Sequence, residues 1–160
     1  MKGVIVYYSQ SGNTRQIASF MAEYLGIEAC EIKTKEDYSQ KDIIEEGKRQ
    51  IEQNFSPEIN EINQNIQDTD FILLGCPIWW YTFAPAVKTF LENHDLSGKI
   101  IYPFTTSSGW KGHIFRDIEK LAKNAIVKQG LYLHYDGDML VDSNKTIEKW
   151  LENIKKETKI

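Results

Sequence analysis

Short apolar runs alternate with amphipathic stretches from the start of the chain. Residues 4–8 form a β-branched and aromatic run that stops at a polar cluster, as a buried strand does. Residues 14–25 place apolar side chains at helical spacing, and Gly26 is a suitable helix end. Residues 28–33 alternate enough to predict a second strand.

The alternation continues to the end of the chain. The pattern predicts, in order, a helix over 43–54, a short helical stretch over 59–66, a strand over 69–75, a helix over 86–92, a strand over 100–104, a helix over 114–122, a last strand over 126–135 that contains Gly130 and a final helix capped by Asp142 or Ser143. Strands that alternate with helices predict an α/β fold, a doubly wound parallel sheet with helices on both faces. Ligands of such sheets bind beyond the carboxyl ends of the strands, so the loops after the first, third and fourth strands are candidates.

Composition places the chain among ordinary globular proteins. Its 160 residues predict one domain, residues 1–160, and 41% hydrophobic with 26% charged residues excludes a disordered or collagen-like chain. The net charge of −4 argues against a nucleic-acid partner, which needs clustered cations.

Cysteine usage and hydropathy bear on the compartment. Cys30 and Cys76 form no CxxC pair, and two reduced thiols are favoured over a disulfide. No apolar run approaches the roughly 20 residues needed to span a bilayer, and the first apolar run is too short for a signal-peptide core. We therefore expect a cytoplasmic protein with no membrane partner.

The first loop combines hydroxyls, amides and a flexible glycine at a helix start. Its residues are Ser9, Gln10, Ser11, Gly12, Asn13 and Thr14. Amides at a helix N-terminus attract anions, so the loop is a candidate phosphate site. The alternative is a capped helix start, since Ser, Asn and Thr are also common caps. The chain has no G-x-G-x-x-G and no P-loop, so neither of those nucleotide motifs is present.

The second loop, residues 75–85, carries bulky rings after a strand end. Its candidate ligand residues are Pro77, Ile78, Trp79, Trp80 and Tyr81. Rings at a surface loop can form an apolar wall for a flat ligand, or they can pack on helices of the same domain. The sequence leaves both interpretations open.

The third loop, residues 105–112, is rich in small polar residues. Its candidates are Thr105, Thr106, Ser107, Ser108, Gly109 and Trp110. Alone it could be an ordinary loop. Together, the three loops suit a phosphate, a flat ring and the hydrogen-bonding edge of that ring.

At these residues the chain resembles the flavodoxin family. The matching motifs are Ser9-x-Ser11-Gly12-Asn13-Thr14, Gly75-x-Pro77-Ile78-Trp79-Trp80 followed by Ala84-Pro85, and Pro103-Phe104-Thr105-Thr106-Ser107. The resemblance spans nearly the whole chain. It implies a five-stranded sheet in the order 2-1-3-4-5 and non-covalently bound FMN, and the length resembles the short-chain type, with an uninterrupted last strand.

The resemblance also assigns roles to the three loops. It implies that residues 9–14 hold the FMN phosphate, that residues 77–81 flank the isoalloxazine with Trp79 or Trp80 against it, and that residues 105–109 line its other side. Tyr81 stands where many flavodoxins have the glycine that touches flavin N5, and Ser108-Gly109 replaces a common Gly-Gly. Trp110 either stacks on the flavin or covers the next helix.

The function implied by the resemblance is electron transfer through FMN between redox partners, such as a flavodoxin reductase and an acceptor. The alternative is an FMN-dependent NAD(P)H oxidoreductase that acts on a quinone or similar small acceptor. A third hypothesis is a flavin-free binding module with the same fold. The cofactor supplies the redox chemistry in the first two, so no catalytic side chain and no metal ligand is assigned.

Overall fold

The computed structural model describes residues 1–160. In chain order the elements are β1 (Gly3–Tyr7), α1 (Asn13–Leu25), β2 (Ala29–Glu31), α2 (Ile43–Glu52), a 3₁₀ turn (Ile66–Asp68), β3 (Phe71–Trp79), β4 (Thr82–Phe83), α3 (Pro85–Asn93), β5 (Ile100–Ser107), α4 (Ile114–Leu121), β6 (Ile126–Val127), β7 (Leu131–Asp136), β8 (Met139–Leu140) and α5 (Asn144–Thr158).

Five parallel strands form the body of the sheet, in the order β2-β1-β3-β5-β7. Numbered as the five predicted strands, this is the order 2-1-3-4-5, so the predicted fold is confirmed. Three two-residue strands are added to it. β4 and β8 pair antiparallel with β3 and β7, and β6 runs parallel to β5.

The two faces of the sheet bury separate apolar clusters, because successive side chains of a strand point to opposite faces. Val6, Leu74 and Ile101 lie on one face with α3 and α4. Ile5 and Leu73 lie on the other, with α1 and α5. Both faces are covered, as the doubly wound prediction requires.

Local signals fix several helix ends. The Asp42 carboxylate accepts hydrogen bonds from the N–H groups of Ile44 and Glu45 and starts α2. Gly26 ends α1 in the left-handed conformation and donates to the Ala22 carbonyl, as predicted. None of the five helices combines the length and apolar composition needed to cross a membrane.

The helical stretch predicted over 59–66 is wrong. Ile59 instead forms an antiparallel bridge with Thr34, and only the turn at Ile66–Asp68 is helical. Ile59 and Ile62 still pack against the core cluster beside α3 and α4. Their spacing therefore reflects burial along an extended segment. Buried residues three positions apart occur both in such a segment and in a helix, so the spacing does not distinguish the two.

The bounds of three predicted strands also change. The strands predicted over 69–75 and 100–104 continue to Trp79 and Ser107. The uninterrupted last strand is wrong, because residues 128–130 separate β6 from β7. Both pieces pair with β5, at its two ends. The extensions matter because they carry the second and third loops.

Candidate functional site

The three candidate loops meet at the carboxyl ends of β1, β3 and β5. The Thr14 and Thr106 hydroxyls are 2.8 Å apart and buried, which joins the first loop to the third. The Tyr8 ring meets the Trp79 indole edge to face, with centroids 5.7 Å apart, which joins β1 to the second loop. The structure therefore brings together the loops that the sequence singled out.

The first loop presents free backbone donors at the start of α1. Gly12 has φ +106°, in the left-handed region, and α1 begins at the next residue. The backbone N–H groups of residues 10–14 donate to no acceptor in the protein, whereas the next N–H, of Arg15, donates to Ser9 Oγ at 3.2 Å. Unsatisfied N–H groups at a helix N-terminus form a site for an anion.

Side chains of the first loop are used largely for support. Asn13 Nδ2 donates to the Gly137 carbonyl at 2.9 Å, and Gln10 Oε1 accepts from the Tyr8 hydroxyl at 2.7 Å. The Arg15 guanidinium binds Glu31 at 2.5 Å, and this hydrogen bond raises the pKa of Arg15. The nearby cation is therefore already paired, and the anion site depends on amides and hydroxyls.

The second loop is a β-hairpin whose two-residue turn is Trp80–Tyr81. Trp79 pairs with Thr82 across β3 and β4, and the turn residues have φ +46° and +71°. Positive φ at both central positions is typical of a type I′ turn, which favours Asn-Gly. A bulky residue in this region costs roughly 1–3 kcal/mol, and such strain concentrates at functional sites. We call Trp80–Tyr81 the aromatic turn.

The two tryptophans of the hairpin have different surroundings. The Trp79 indole is half-buried and packs against Gly47 of α2 and the Tyr8 ring. Trp80 is 42% exposed, and its indole N–H donates to the Ile44 carbonyl at 3.1 Å. Both indoles contact α2, as the packing interpretation predicts, and only Trp80 retains a large exposed surface that a flat ligand could use.

Hydrogen bonds join the aromatic turn to the end of the third loop. The Tyr81 carbonyl accepts from the His113 N–H at 2.8 Å. Gly112, with φ +61°, permits this approach, since a Cβ there would lie 2.1 Å from the Tyr81 oxygen. Asp117 binds both the Thr82 hydroxyl, at 2.7 Å, and the His113 ring. The His113 imidazole is therefore engaged with α4.

The third loop changes from buried to exposed along its length. Thr105 and Thr106 are buried, and the Thr105 hydroxyl has no hydrogen-bond partner in the protein. Ser107 Oγ accepts from the Gly109 N–H at 3.0 Å. Ser108 and Gly109 are exposed, and Trp110 is 82% exposed, so Trp110 does not cover the following helix.

Sequence reasoning missed supporting residues of the site. The Tyr132 hydroxyl donates to the Gly109 carbonyl at 2.5 Å and fixes the third loop. Tyr8 directly follows β1, and burial raises the pKa of its hydroxyl. The apolar run around Tyr8 indicated a strand and nothing more, and α2 as a whole carried no site signal, although its backbone anchors Trp80.

Cysteine chemistry is not part of this site. Cys76 follows Gly75 in β3 and is fully buried, and burial raises the pKa of its thiol to about 12. A thiol with so high a pKa is a poor nucleophile at neutral pH. The free N–H groups and the exposed rings suit an anion and a flat group, and Cys76 is not suited to covalent chemistry at neutral pH.

Comparisons with known proteins agree with this geometry. A family model described as flavodoxin matches residues 2–154, so the chain belongs to the flavodoxin family. A Bacteroides eggerthii protein assigned as a flavoprotein is 29% identical; the match covers 96% of this chain and 97% of that one, with a TM-score of 0.79.

Two further structures share the fold. A Lactobacillus acidophilus flavoprotein in complex with FMN is 24% identical, with 93% and 97% of the two chains covered and a TM-score of 0.74. A flavodoxin from the Archaea is 19% identical over both whole chains, with a TM-score of 0.58. No curated protein matches the chain.

Proposed function

We propose that the protein is an FMN-binding electron carrier that exchanges electrons with redox partner proteins, and that residues 1–160 act as one domain. FMN is the cofactor expected of the flavodoxin family, to which the chain belongs. The L. acidophilus relative is a flavoprotein in complex with FMN. The question specific to this chain is whether its residues fit that group.

The first loop fits a phosphate. Five consecutive N–H groups, at residues 10–14, have no acceptor in the protein and adjoin the positive end of α1. The Ser11 hydroxyl is exposed and makes no hydrogen bond within the protein, so it can add a donor. In our proposal residues 9–14 hold the FMN phosphate through these donors.

The hairpin and the third loop fit the flat part of the cofactor. The exposed faces of Trp80 and Tyr81 supply aromatic surface, and residues 105–109 supply polar groups at the facing loop. Bound FMN would supply the redox chemistry, and the protein would hold it and control its surroundings. Trp79 supports the hairpin from the α2 side.

The observation that carries the choice of an electron carrier is an exposed aromatic rim. Trp80, Tyr81 and Trp110 are 42%, 52% and 82% exposed, at the ends of the two loops that would flank the ring. Exposed aromatic residues are enriched where proteins dock, and a docked partner can exchange electrons with a flavin at the rim. Suitable partners are a flavodoxin reductase and an electron acceptor.

The second candidate function is an NAD(P)H oxidoreductase for a quinone or similar acceptor. The oxidoreductase is favoured by the position of Trp110, whose indole pairs with no other aromatic ring of the protein and leaves the third loop uncovered. Hydride transfer would require nicotinamide to be held against the flavin. The sequence contains no G-x-G-x-x-G motif that would hold the nicotinamide nucleotide, and this supports the electron carrier.

One assay separates the two functions. FMN-loaded protein is mixed with NADPH and a quinone, with and without a flavodoxin reductase. We expect rapid quinone reduction only when the reductase is present. Rapid turnover without the reductase would replace the carrier with the oxidoreductase.

Because Cys30 and Cys76 are separate buried thiols, we continue to expect a reducing compartment, the cytoplasm.

A further inference from the structure

A cavity of about 310 Å³ lies between α2, β4, α3 and α4. We call it the α2–α4 cavity. None of the residues 9–14, 77–81 or 105–110 lines it, so it is separate from the candidate FMN-binding residues, although Thr82, Phe83 and Pro85 at the end of the second loop line one side of it. Its size falls at the lower end of the range of small-molecule sites, roughly 300–1,000 Å³.

The apolar part of the α2–α4 cavity includes two aromatic rings. Phe83 belongs to β4 and is buried, whereas Phe55 follows α2 and is 39% exposed. Ile51 and Leu121 extend the apolar lining. Aromatic walls favour a ligand with a ring of its own, through offset or edge-to-face contacts.

Two lysines give the α2–α4 cavity a positive side. Lys88 Nζ donates to the Asn54 carbonyl at 2.6 Å, and its side chain is only 15% exposed. An ammonium has three donors, and Glu92, which forms an ion pair with Lys88 at 3.7 Å, lies beyond hydrogen-bond range. Lys120 is exposed and forms no ion pair. Donors on both lysines are therefore free for an anionic group.

Asp117, the one acidic residue of the lining, offsets one of the two lysine charges, so the lining keeps a net positive charge. Asp117 already accepts hydrogen bonds from the Thr82 hydroxyl and the His113 ring. Gln50 is fully buried in the wall. Its Nε2 donates to the Tyr38 hydroxyl and to Glu46, while its Oε1 has no partner. A buried acceptor without a donor is costly, and a ligand hydroxyl would be a suitable donor.

We propose that the α2–α4 cavity binds a small aromatic monocarboxylate, with its carboxylate at Lys88 and Lys120 and its ring against Phe55 and Phe83. The two lysines favour a negatively charged ligand, and the aromatic side chains favour a ligand that contains a ring. The site does not depend on the proposed FMN function, because none of the residues 9–14, 77–81 and 105–110 that would hold FMN lines it.

Benzoate and 4-hydroxybenzoate are the probes, titrated calorimetrically into the FMN-loaded protein. We expect saturable binding of both acids and none of the neutral isostere benzamide. Lys88→Met and Lys120→Met should each weaken binding by about tenfold, since each removes a charge-assisted hydrogen bond. Lys123→Met is the matched control, because Lys123 is an exposed lysine just beyond α4 that does not line the cavity.

Amide chemical shifts locate the bound acid. With ¹⁵N-labelled protein, benzoate should move the resonances of Ile51, Phe83 and Leu121. The proposal is overturned by no saturable binding, by equal binding of benzamide, by equal weakening in all three lysine variants, or by shifts confined to residues 105–110. Thermal melting of each variant confirms that it is folded, and a Lys88→Met protein that does not fold leaves Lys120→Met to decide.

Discussion

The first loop and the aromatic turn both hold backbone in the left-handed region, with opposite residue choices. Gly12 adopts φ +106° without steric cost, and polar neighbours suit the start of α1. Trp80 and Tyr81 adopt φ +46° and +71°, where Asn-Gly would be favoured. In the first loop the residue type suits the backbone conformation, whereas in the aromatic turn bulky rings stand where local preference favours Asn-Gly.

This difference predicts how each region responds to substitution. Changes in the first loop should remove binding and affect stability little beyond local strain. Changes in the aromatic turn should trade stability against binding, because the strained conformation is held for its side chains. Four predictions, in order of decreasing effect, test this contrast.

Gly12→Val should abolish FMN retention and leave a folded apoprotein. A β-branched residue at φ +106° is strained, and relief of that strain would move the N–H groups of residues 10–14 out of their present arrangement. We expect the affinity for FMN to fall by about 100-fold or more. This corresponds to the loss of two charge-assisted hydrogen bonds to the phosphate. Fluorescence titration with FMN measures the affinity and circular dichroism the fold.

Gly98→Val is the matched control for backbone strain. Gly98 has φ +76°, open space at its Cβ position and no part in the three loops. It should lower thermal stability without changing FMN affinity. Stoichiometric FMN in folded Gly12→Val protein would remove the phosphate assignment of the first loop.

Trp80→Ala should weaken FMN binding by about tenfold and raise the fluorescence of the bound flavin. The change removes aromatic surface and also the hydrogen bond that holds the indole to the Ile44 carbonyl. We expect the free energy of FMN binding to weaken by about 1–2 kcal/mol. Trp79→Ala should instead mainly lower the free energy of unfolding, by about 2–3 kcal/mol, because Trp79 packs on Tyr8 and α2. If neither variant changes flavin affinity or fluorescence, the ring lies elsewhere.

Tyr81→Gly should raise the free energy of unfolding by about 1 kcal/mol and weaken FMN binding. Glycine relieves the left-handed strain at φ +71°, and the exposed Tyr81 side chain makes no hydrogen bond that would be lost. Urea denaturation measures the stability. Tyr81→Phe keeps both ring and strain, so it should leave both quantities close to wild type. A destabilised Tyr81→Gly protein would contradict the account of the turn.

Acid should loosen α2, the helix on which both tryptophans rest. Hydrogen bonds from Arg49 and Gln50 lower the pKa of Glu46 to about 2. Since the folded pKa lies below the unfolded value of about 4.5, the stabilisation is present above pH 4.5 and is lost between about pH 4.5 and 2. Wild type should therefore melt higher than Glu46→Gln at pH 6, and the difference should disappear near pH 2. A difference that stays constant over this range would show that Glu46 contributes nothing through its charge.

The sequence predicted the parts of the molecule that local chemistry determines. Ser9 to Thr14 could be identified as a candidate anion site, because hydroxyls, glycine and a helix start are all visible in the chain. The five-strand order came from the resemblance, and the sheet confirms it. The crossing at 59–66 was predicted wrongly, because its isoleucine spacing suits both a helix and a buried extended segment.

Long-range contacts account for what could not be predicted. The antiparallel pairing of Ile78 with Phe83 turns the second loop into a hairpin, although Pro77 disfavours a strand there. The different surroundings of Trp79 and Trp80 depend on where α2 lies against the hairpin, and nothing in residues 43–52 indicates that position. Tyr132 supports the third loop from a strand 23 residues further along the chain.

The central claim is that the first loop binds the phosphate of FMN, and the most direct measurement compares FMN with riboflavin on the apoprotein by calorimetry. The two ligands share the ring and differ in the phosphate. We predict that FMN binds about 100-fold more tightly, and that Gly12→Val removes this difference. Equal affinities for FMN and riboflavin in the wild-type protein would contradict the account.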